Sequence, residues 1–250
     1  MSPVLNIVVP MAGRGQRFVD AGYDLPKPLI PVHGQPMIAR VIKNITPRTP
    51  HRFIFIALAE HLRSHDLAAK LAAWSPGCAI VPVTSVTEGA ACTVLLAEKE
   101  IDSDAPLLIA NCDQWVVCDM DSFVAEQASR GLDGLIMTMT ATDLKWSFVH
   151  MDARGLVTDV QEKKPISDQA TVGIYMYRRG RDFVAAAHAM IKKNIRVNNE
   201  FYVAPVYNEM IATGARLGCF SIGTVEDGMH GLGTPDDLTA FLANPISRNL

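Results

Sequence analysis

Short apolar runs alternate with segments of helical period through the first 113 residues. Four runs, NIVVP, RFIFIAL, CAIVPV and PLLIANC, begin at Asn6, Arg52, Cys78 and Pro106. Runs that are apolar almost throughout are typical of strands covered on both faces of a sheet. The alternation therefore predicts an α/β fold with a mostly parallel, Rossmann-like sheet and right-handed crossovers.

Helices are predicted between these strands. One begins after Pro36, and a second runs through Val94 and Leu95 to about Ile101. The apolar face of the first helix comprises Met37, Ile38, Val41, Ile42 and Ile45.

The second half of the chain has a different pattern. GLIMTMTAT, FVHMDA, LVTDVQE and ATVGIYMY follow one another with short connections, and a helix is predicted over residues 181–193. This pattern indicates a β-rich, mixed or antiparallel insertion. We expect one domain over residues 1–250.

Composition excludes several classes of protein. The 26 acidic and 23 basic side chains give a net charge of -3, so we expect no nucleic-acid partner. No apolar run reaches the roughly 18 residues of a membrane span, and the N-terminus lacks a secretory signal, so we expect a cytoplasmic protein without membrane contact. The five cysteines form no C-x-x-C pair, which disfavours a disulfide framework or a structural zinc site.

The loop after the first strand contains two glycines, Gly13 and Gly15, and two arginines, Arg14 and Arg17. Open α/β sheets bind ligands at the carboxyl ends of their strands. Glycines let backbone N–H groups approach phosphate, and arginine offers paired donors to the same oxygens. Phe18 stands where a dinucleotide fingerprint requires glycine, and a P-loop ending is absent. A tight turn without a ligand is the alternative.

Lys27 lies between Pro26 and Pro28. The two prolines predict an extended backbone that aims the ammonium group at a phosphate held by the first loop. A solvated loop lysine is the alternative.

Taken together, PMAGRGQRF and PKPLIPVHGQPMI resemble the signature of nucleotidyltransferases that join a nucleoside triphosphate to a sugar 1-phosphate. NCDQ, EKKP and GLGTPDD follow in the order of that family. The chain is most similar to short capsule-locus members, including phosphoglutamine-type cytidylyltransferases. The resemblance implies a GT-A-like nucleotidyltransferase fold with a nucleotide-binding half, 1–118, and a β-rich acceptor-binding half, 119–250.

The implied reaction is attack of an acceptor phosphate oxygen on the α-phosphorus, with release of pyrophosphate. Because both reactants are anionic, the resemblance implies a cationic clamp and a Mg²⁺ cofactor. Arg17 would hold the leaving pyrophosphate, and Lys27 would stabilise charge on the transferred group. The nucleotide-binding loop would comprise Met11, Ala12, Gly13, Arg14 and Gly15.

Asp113 directly follows the apolar run PLLIANC and is the expected metal ligand. The second metal ligand of many family members falls at Gly231, so phosphate oxygens or another carboxylate would have to replace it. Asp236 and Asp237 follow a Thr234-Pro235 pair that predicts a helix N-cap and a first-turn proline.

Two other functions stay open. Asp119 and Asp121 form a D-x-D, the metal motif of many glycosyltransferases, although Asp121-Ser122 favours the start of a helix. A catalytically silent, nucleotide-binding regulator is compatible with Gly231 and with Cys92, which stands near the position of a base-reading glutamine in the family.

The resemblance places base recognition at Glu88, Gly89 and Ala90. A glutamate can accept a hydrogen bond from the exocyclic amine of cytosine, which favours CTP. A solvated loop acid is the alternative for Glu88.

On the acceptor side, the resemblance assigns Lys164 to the acceptor's phosphate, Thr171 to the pocket wall and Glu200 to a nearby loop. Lys163 stands where the family has a glutamate that bonds a sugar hydroxyl, which favours a more acidic acceptor. Trp146 is expected to pack, with a role in the pocket wall as the alternative. Homo-oligomerisation is compatible with the sequence.

Overall fold

A computed structural model describes residues 3–249, and a nine-stranded mixed sheet lies at its centre. The strands are β1 Leu5–Met11, β2 Pro31–Val32, β3 Gln35–Pro36, β4 His51–Leu58, β5 Ala79–Val83, β6 Leu107–Ala110, β7 Gln114–Val116, β8 Gly134–Thr140, β9 Ser147–Met151, β10 Val157–Glu162, β11 Gln169–Tyr177, β12 Leu217–Thr224 and β13 Met229–Gly231. The helices are α1 Gln16–Asp20, α2 Met37–Ile45, α3 Ala59–Ser64, α4 Leu67–Trp74, α5 Ala90–Leu95, α6 Glu98–Ile101, α7 Met120–Ser129, α8 Gly180–Lys192, α9 Val206–Ala212 and α10 Pro235–Ala243, with 3-10 turns at Lys27–Leu29 and Pro245–Asn249.

The central sheet has the order β5-β4-β1-β6-β11-β9-β10, and β8 and β12 extend it beside β11. β5, β4, β1 and β6 are parallel to one another, as the sequence predicts. β11 enters antiparallel to β6, with Tyr177 opposite Leu107. The predicted α/β fold with a β-rich second half is therefore confirmed.

Both faces of the sheet are covered, which explains why its first strands are apolar almost throughout. Leu5, Ile7 and Val9 of β1 face one core, which also contains side chains from α2, α4 and α7. Val8 faces the opposite core, together with side chains from α5, α6, α8 and α9. Alternate residues of the same strand thus enter different cores.

A third, smaller core joins α1 and α2 to α10. Phe18 of α1 is buried with Leu232, Leu238 and Phe241. This core packs α10 against α1, the helix that follows the loop after β1. Among residues 3–249, no helix combines the length and the apolarity that crossing a bilayer would require.

The helix predicted through Val94 to Ile101 is divided into α5 and α6. Leu96 and Ala97 donate to the carbonyls of Thr93 and Val94, three residues earlier, so α5 closes with a tight turn. The predicted helix over 181–193 agrees with α8 to within one residue at each end.

The predicted extended backbone at Lys27 is wrong, because Lys27 opens a 3-10 turn. Leu29 N donates to the Pro26 carbonyl at 2.8 Å, and Ile30 N donates to the Lys27 carbonyl at 3.2 Å. The fixed φ of Pro28 suits a helical turn, so the proline next to Lys27 supports the turn.

Candidate functional site

The loop after β1 packs directly against Lys27. Gly15 has φ +64°, a conformation in which residues with a Cβ are strained. A Cβ at this position would lie 2.9 Å from the Cβ of Lys27. Residue 15 therefore has two independent reasons to be glycine, and the loop and Lys27 form one unit.

The same loop presents polar groups to solvent at the carboxyl edge of the parallel strands. Within residues 3–249, nothing accepts a hydrogen bond from the backbone N–H groups of Gly13, Arg14 or Gly15. The Arg14 and Arg17 side chains are exposed. The loop therefore has donors of the kind that bind phosphate oxygens.

Lys27 and Asp113 form an ion pair at this edge. Lys27 Nζ lies 2.8 Å from Asp113 Oδ2, and the two side chains are only 19% and 22% exposed. Burial alone would lower the pKa of Lys27 and nearby Arg17 lowers it further, but the Asp113 carboxylate outweighs both and raises it above its ordinary value. The ammonium group therefore stays charged throughout the neutral range.

Asp113 retains room for a further partner. Oδ1 of Asp113 accepts no hydrogen bond from the residues that the structure describes. Its backbone carbonyl accepts a hydrogen bond from Leu232 N at 2.8 Å, and a Cβ at Gly233 would lie 2.9 Å from Oδ2. The glycine at position 233 thus allows the chain before α10 to pass close to the carboxylate.

A second carboxylate, Asp237, lies near this segment. Its Cγ is 3.4 Å from the point where a Cβ at Gly231 would lie. Asp237 N donates to Thr234 Oγ1 at 3.1 Å, which confirms the predicted N-cap and leaves the Asp237 side chain directed at Gly231. The Asp237 carboxylate of α10 therefore borders the space that a side chain would occupy at position 231.

A cavity of about 260 Å³ opens beside these groups. Ala90 and Thr171 were expected at the site, and Thr171 Oγ1 lies 3.0 Å from Tyr175 OH. The sequence left Trp146 as a packing residue with a pocket role as the alternative, and its side chain contributes to the wall. The lining residues are Ala90, Asn111, Lys145, Trp146, Ser147, Glu162, Thr171, Val172, Gly173, Tyr175, Tyr202, Val203 and Ala204.

Glu162 is a cavity residue that the sequence reasoning missed. It is buried and accepts a hydrogen bond from Ser147 Oγ, and burial raises the pKa of its carboxyl group. The resemblance places a family glutamate at position 163, where this chain has a lysine. The preceding residue, Glu162, is an acid that does line the cavity. The strand pattern did indicate this burial, because Glu162 lies in β10 two residues after buried Val160 and on the same side of the strand.

The neighbouring lysines differ in their contacts. Lys163 Nζ donates to Tyr202 OH at 2.9 Å, at the edge of the cavity. Lys164, the residue expected to meet the acceptor's phosphate, is exposed and lies outside the cavity lining. Glu200 is exposed on the loop before Tyr202.

The expected base-recognition segment is bound to that loop through Phe201. Phe201 N donates to the Glu88 carbonyl at 2.8 Å, and Ala91 N donates to the Phe201 carbonyl at 3.0 Å. A Cβ at Gly89 would lie 2.5 Å from Phe201 N, so this contact requires glycine. The Glu88 carboxylate pairs with Arg196 at 3.0 and 3.4 Å, and its side chain is 66% exposed, so Glu88 is both paired and solvated.

The D-x-D acids have structural partners. The helix start favoured at Asp121-Ser122 is present as α7, and Asp119 caps it by accepting hydrogen bonds from Asp121 N and Ser122 Oγ. Asp121 instead accepts the backbone N–H groups of Arg48 and Thr49. These residues precede β4, whereas the loop at Gly15 follows the parallel β1, so Asp121 lies at the opposite edge of the sheet.

Comparison with known proteins agrees with this architecture. The family model described as nucleotidyl transferase matches residues 7–220. The bifunctional protein GlmU of Methanococcus aeolicus is 23% identical over 182 residues, which are 69% of this chain and 40% of that protein. The match thus spans well under half the length of this curated relative.

Solved structures extend the similarity over nearly the whole chain. A nucleoside-diphosphate-sugar pyrophosphorylase from Vibrio cholerae RC9 is 27% identical, with a TM-score of 0.79 and coverage of 94% of this chain and 99% of that one. The inositol-1-phosphate CTP transferase from T. maritima is 14% identical, with a TM-score of 0.73 and coverage of 98% of both chains, and it shares the fold. The chain belongs to the nucleotidyl transferase family.

Proposed function

We propose that this protein transfers a nucleotidyl group from a nucleoside triphosphate to a phosphorylated small molecule. An acceptor phosphate oxygen forms a bond to the α-phosphorus, the bond from the α-phosphorus to the β-phosphate oxygen breaks, and pyrophosphate leaves. The observation that carries this proposal is the Lys27–Asp113 pair, which lies against the glycine loop at the ligand-binding edge of the sheet.

Each group at this edge has a role in the proposed reaction. The loop Met11, Ala12, Gly13, Arg14 and Gly15 binds the triphosphate, with the backbone N–H groups of Gly13, Arg14 and Gly15 as donors. Arg17 neutralises the leaving pyrophosphate, and Lys27, charged at neutral pH, stabilises negative charge on the α-phosphoryl group in the transition state. No side-chain nucleophile is required, because the acceptor supplies the attacking oxygen.

The carboxylates at the edge suit a magnesium ion. Asp113 has a carboxylate oxygen without a hydrogen bond from the described residues, and Asp237 borders the space beside Gly231. Oxygen ligands of this kind are those that Mg²⁺ prefers. A bound Mg²⁺ would neutralise phosphate oxygens, with Asp113 as its first ligand and Asp237 as the candidate for the second.

We further propose CTP as the nucleotide. Arg196 holds the Glu88 carboxylate in place, where it would accept the exocyclic amine of cytosine, with Gly89 and Ala90 beside the base. On this view the nucleotide occupies the half 1–118 and the acceptor the half 119–250. The segment from 88 to 91 is joined to the acceptor half through Phe201.

The acceptor would lie in the cavity, against Thr171 and near Glu200, and Lys164, which is exposed outside the cavity lining, would bind its phosphate. A sugar 1-phosphate or a non-sugar phosphate would provide the attacking oxygen. The resemblance to short capsule-locus members supports a role for the product as a precursor of a surface or capsular polysaccharide.

The test begins with thermal stabilisation of the protein by magnesium and each of CTP, UTP, GTP, ATP and dTTP, because a bound ligand raises the melting temperature. Pyrophosphate release is then measured with a panel of phosphorylated acceptors. We expect the largest shift with CTP, and an at least hundredfold lower kcat in Lys27→Ala than in the control Lys99→Ala, an exposed lysine of α6. Full activity of Lys27→Ala would overturn the assigned role.

The same assay separates the alternatives. A silent regulator would be stabilised by a triphosphate yet release no pyrophosphate with any acceptor. A glycosyltransferase would consume nucleotide sugars and depend on Asp119 and Asp121. The observed contacts of these two acids, with the start of α7 and with Arg48 and Thr49, disfavour that function.

A further inference from the structure

Lys145 lies at the mouth of the cavity and has no part in the function proposed so far. Its Nζ is 4.8 Å from the centre of the Trp146 ring and 4.0 Å from Asp237 Oδ1. The side chain is 51% exposed. The ammonium group therefore stands between the cavity and the carboxylate next to Gly231.

The charges that line the cavity are few. Among the described lining residues, Lys145 is the one cation and Glu162 the one acid. Glu162 is buried and accepts a hydrogen bond from Ser147, whereas the Lys145 ammonium is open to solvent. Of these two charges, the positive one is therefore open to a ligand from solvent.

Hydrogen bonds hold the backbone in place at Lys145 and Trp146. Lys145 N donates to Asp143 Oδ1 at 2.9 Å, Trp146 N donates to the Asp143 carbonyl at 3.2 Å, and Lys163 N donates to the Trp146 carbonyl at 2.9 Å. The ammonium group itself is held loosely, because 4.0 Å is the long limit of an ion pair and such exposed pairs contribute little to stability. Its present contacts do not explain why a cation stands here.

We infer that Lys145 binds an anionic oxygen of the acceptor. The inference rests on the proposed function and deepens it, because it assigns a recognition residue to the acceptor pocket. The anionic oxygen can belong to the acceptor's phosphate or to a second acidic group, such as a carboxylate at the end remote from the phosphate. Both are bound by a lysine ammonium through the same charge-assisted hydrogen bonds.

The test uses two probes that differ by one carboxylate, glucose 1-phosphate and glucuronic acid 1-phosphate. Binding of each is measured by calorimetry in the presence of magnesium and a non-hydrolysable analogue of the triphosphate that stabilises the protein most. Pyrophosphate release is measured in parallel with the natural triphosphate. The variants are Lys145→Met, Lys145→Arg and the control Lys99→Met, whose lysine is exposed on α6, outside the cavity lining.

We expect Lys145→Met to weaken binding about tenfold, in line with the loss of one charge-assisted hydrogen bond, and to raise KM with little change in kcat. Lys145→Arg restores most of the affinity. If the ammonium binds the phosphate, both probes are weakened equally. If it binds a second acidic group, glucuronic acid 1-phosphate is weakened and glucose 1-phosphate is not.

Equal affinity of Lys145→Met, Lys99→Met and the unaltered protein for both probes would overturn the inference, as would failure of both probes to bind the unaltered protein. Binding that depends on Lys145, without pyrophosphate release by the unaltered protein with these probes or with the panel of phosphorylated acceptors, would instead overturn the proposed reaction and leave Lys145 as an anion-binding residue. The two failures are therefore distinguishable.

Discussion

Lys27 is positioned by its neighbours. The Gly15 backbone packs against its Cβ, Asp113 accepts from its ammonium group, and Arg17 adds a second positive charge nearby. Two nearby cations repel each other, and the partly buried carboxylate of Asp113 offsets that repulsion. The local concentration of positive charge that a triphosphate requires is thus compatible with a stable fold.

We predict that Gly15→Ala destabilises the protein and slows pyrophosphate release. A residue with a Cβ in the left-handed conformation costs about 1–2 kcal/mol, and the new methyl group would lie 2.9 Å from the Lys27 side chain. Urea denaturation should show the loss in free energy of unfolding, and steady-state kinetics the loss in kcat. Gly13→Ala is the matched control for stability, because nothing lies within 4 Å of its added Cβ. Equal unfolding free energies for the two variants would contradict the packing argument.

Single residues also show where sequence reasoning was limited. The chemistry of the first loop and the place of Asp113 follow from local pattern, because each comes directly after an apolar strand. Glu162 was missed because a glutamate near a strand end is usually solvated, and only the cavity shows that this one is buried. The Glu88–Arg196 pair spans 108 residues of sequence, so no local pattern indicates it.

At the scale of elements, the start of α7 is fixed to the connection between α2 and β4. Asp121 accepts the backbone N–H groups of Arg48 at 3.0 Å and Thr49 at 3.1 Å, and the Arg48 side chain at 2.8 Å. The sequence predicted a helix here but not this link. A D-x-D motif cannot by itself distinguish a metal site from a carboxylate that ties two elements together.

We predict a pH-dependent stability effect for Asp121→Asn. The backbone hydrogen bond from Arg48, followed by its side chain, lowers the pKa of Asp121 from 3.8 to about 2. A carboxylate whose pKa is lower in the folded state stabilises the protein above about pH 4, and this contribution is lost as the pH falls towards 2. In urea denaturation, the variant should therefore be less stable than the unaltered protein at pH 6, and the difference should shrink between pH 5 and 2.

Asp168→Asn, a change at an exposed acid, is the control for the loss of one negative charge in Asp121→Asn. Pyrophosphate release should survive in Asp121→Asn, because this acid lies at the opposite edge of the sheet from Lys27. If the unaltered protein consumed a nucleotide sugar, and Asp121→Asn abolished that activity while Asp113→Asn retained it, the glycosyltransferase alternative would replace our proposal.

At the scale of the whole molecule, β11 joins the two halves of the chain. The apolar runs predicted the strands, and their nearly continuous apolar character predicted that both faces of the sheet are covered, but strand order depends on contacts between distant residues. β11 pairs with β6 on one side and β8 on the other, and its Tyr177 is fully buried and stacked on Tyr207 at 4.6 Å. Local pattern carries no information on these pairings.

Because one sheet runs through both halves, we predict that the chain unfolds in a single transition. Tyr177→Ala removes a large buried side chain from β11 and should lower the free energy of unfolding by about 3–5 kcal/mol. Hydrogen exchange, followed separately in β4 of the first half and β12 of the second, should accelerate by the same factor in both strands, since both depend on the same global opening. The exposed change Lys99→Ala should leave exchange in both strands unaltered. Faster exchange confined to β12 would show that the halves unfold independently, and the expectation of one domain over residues 1–250 would then fail.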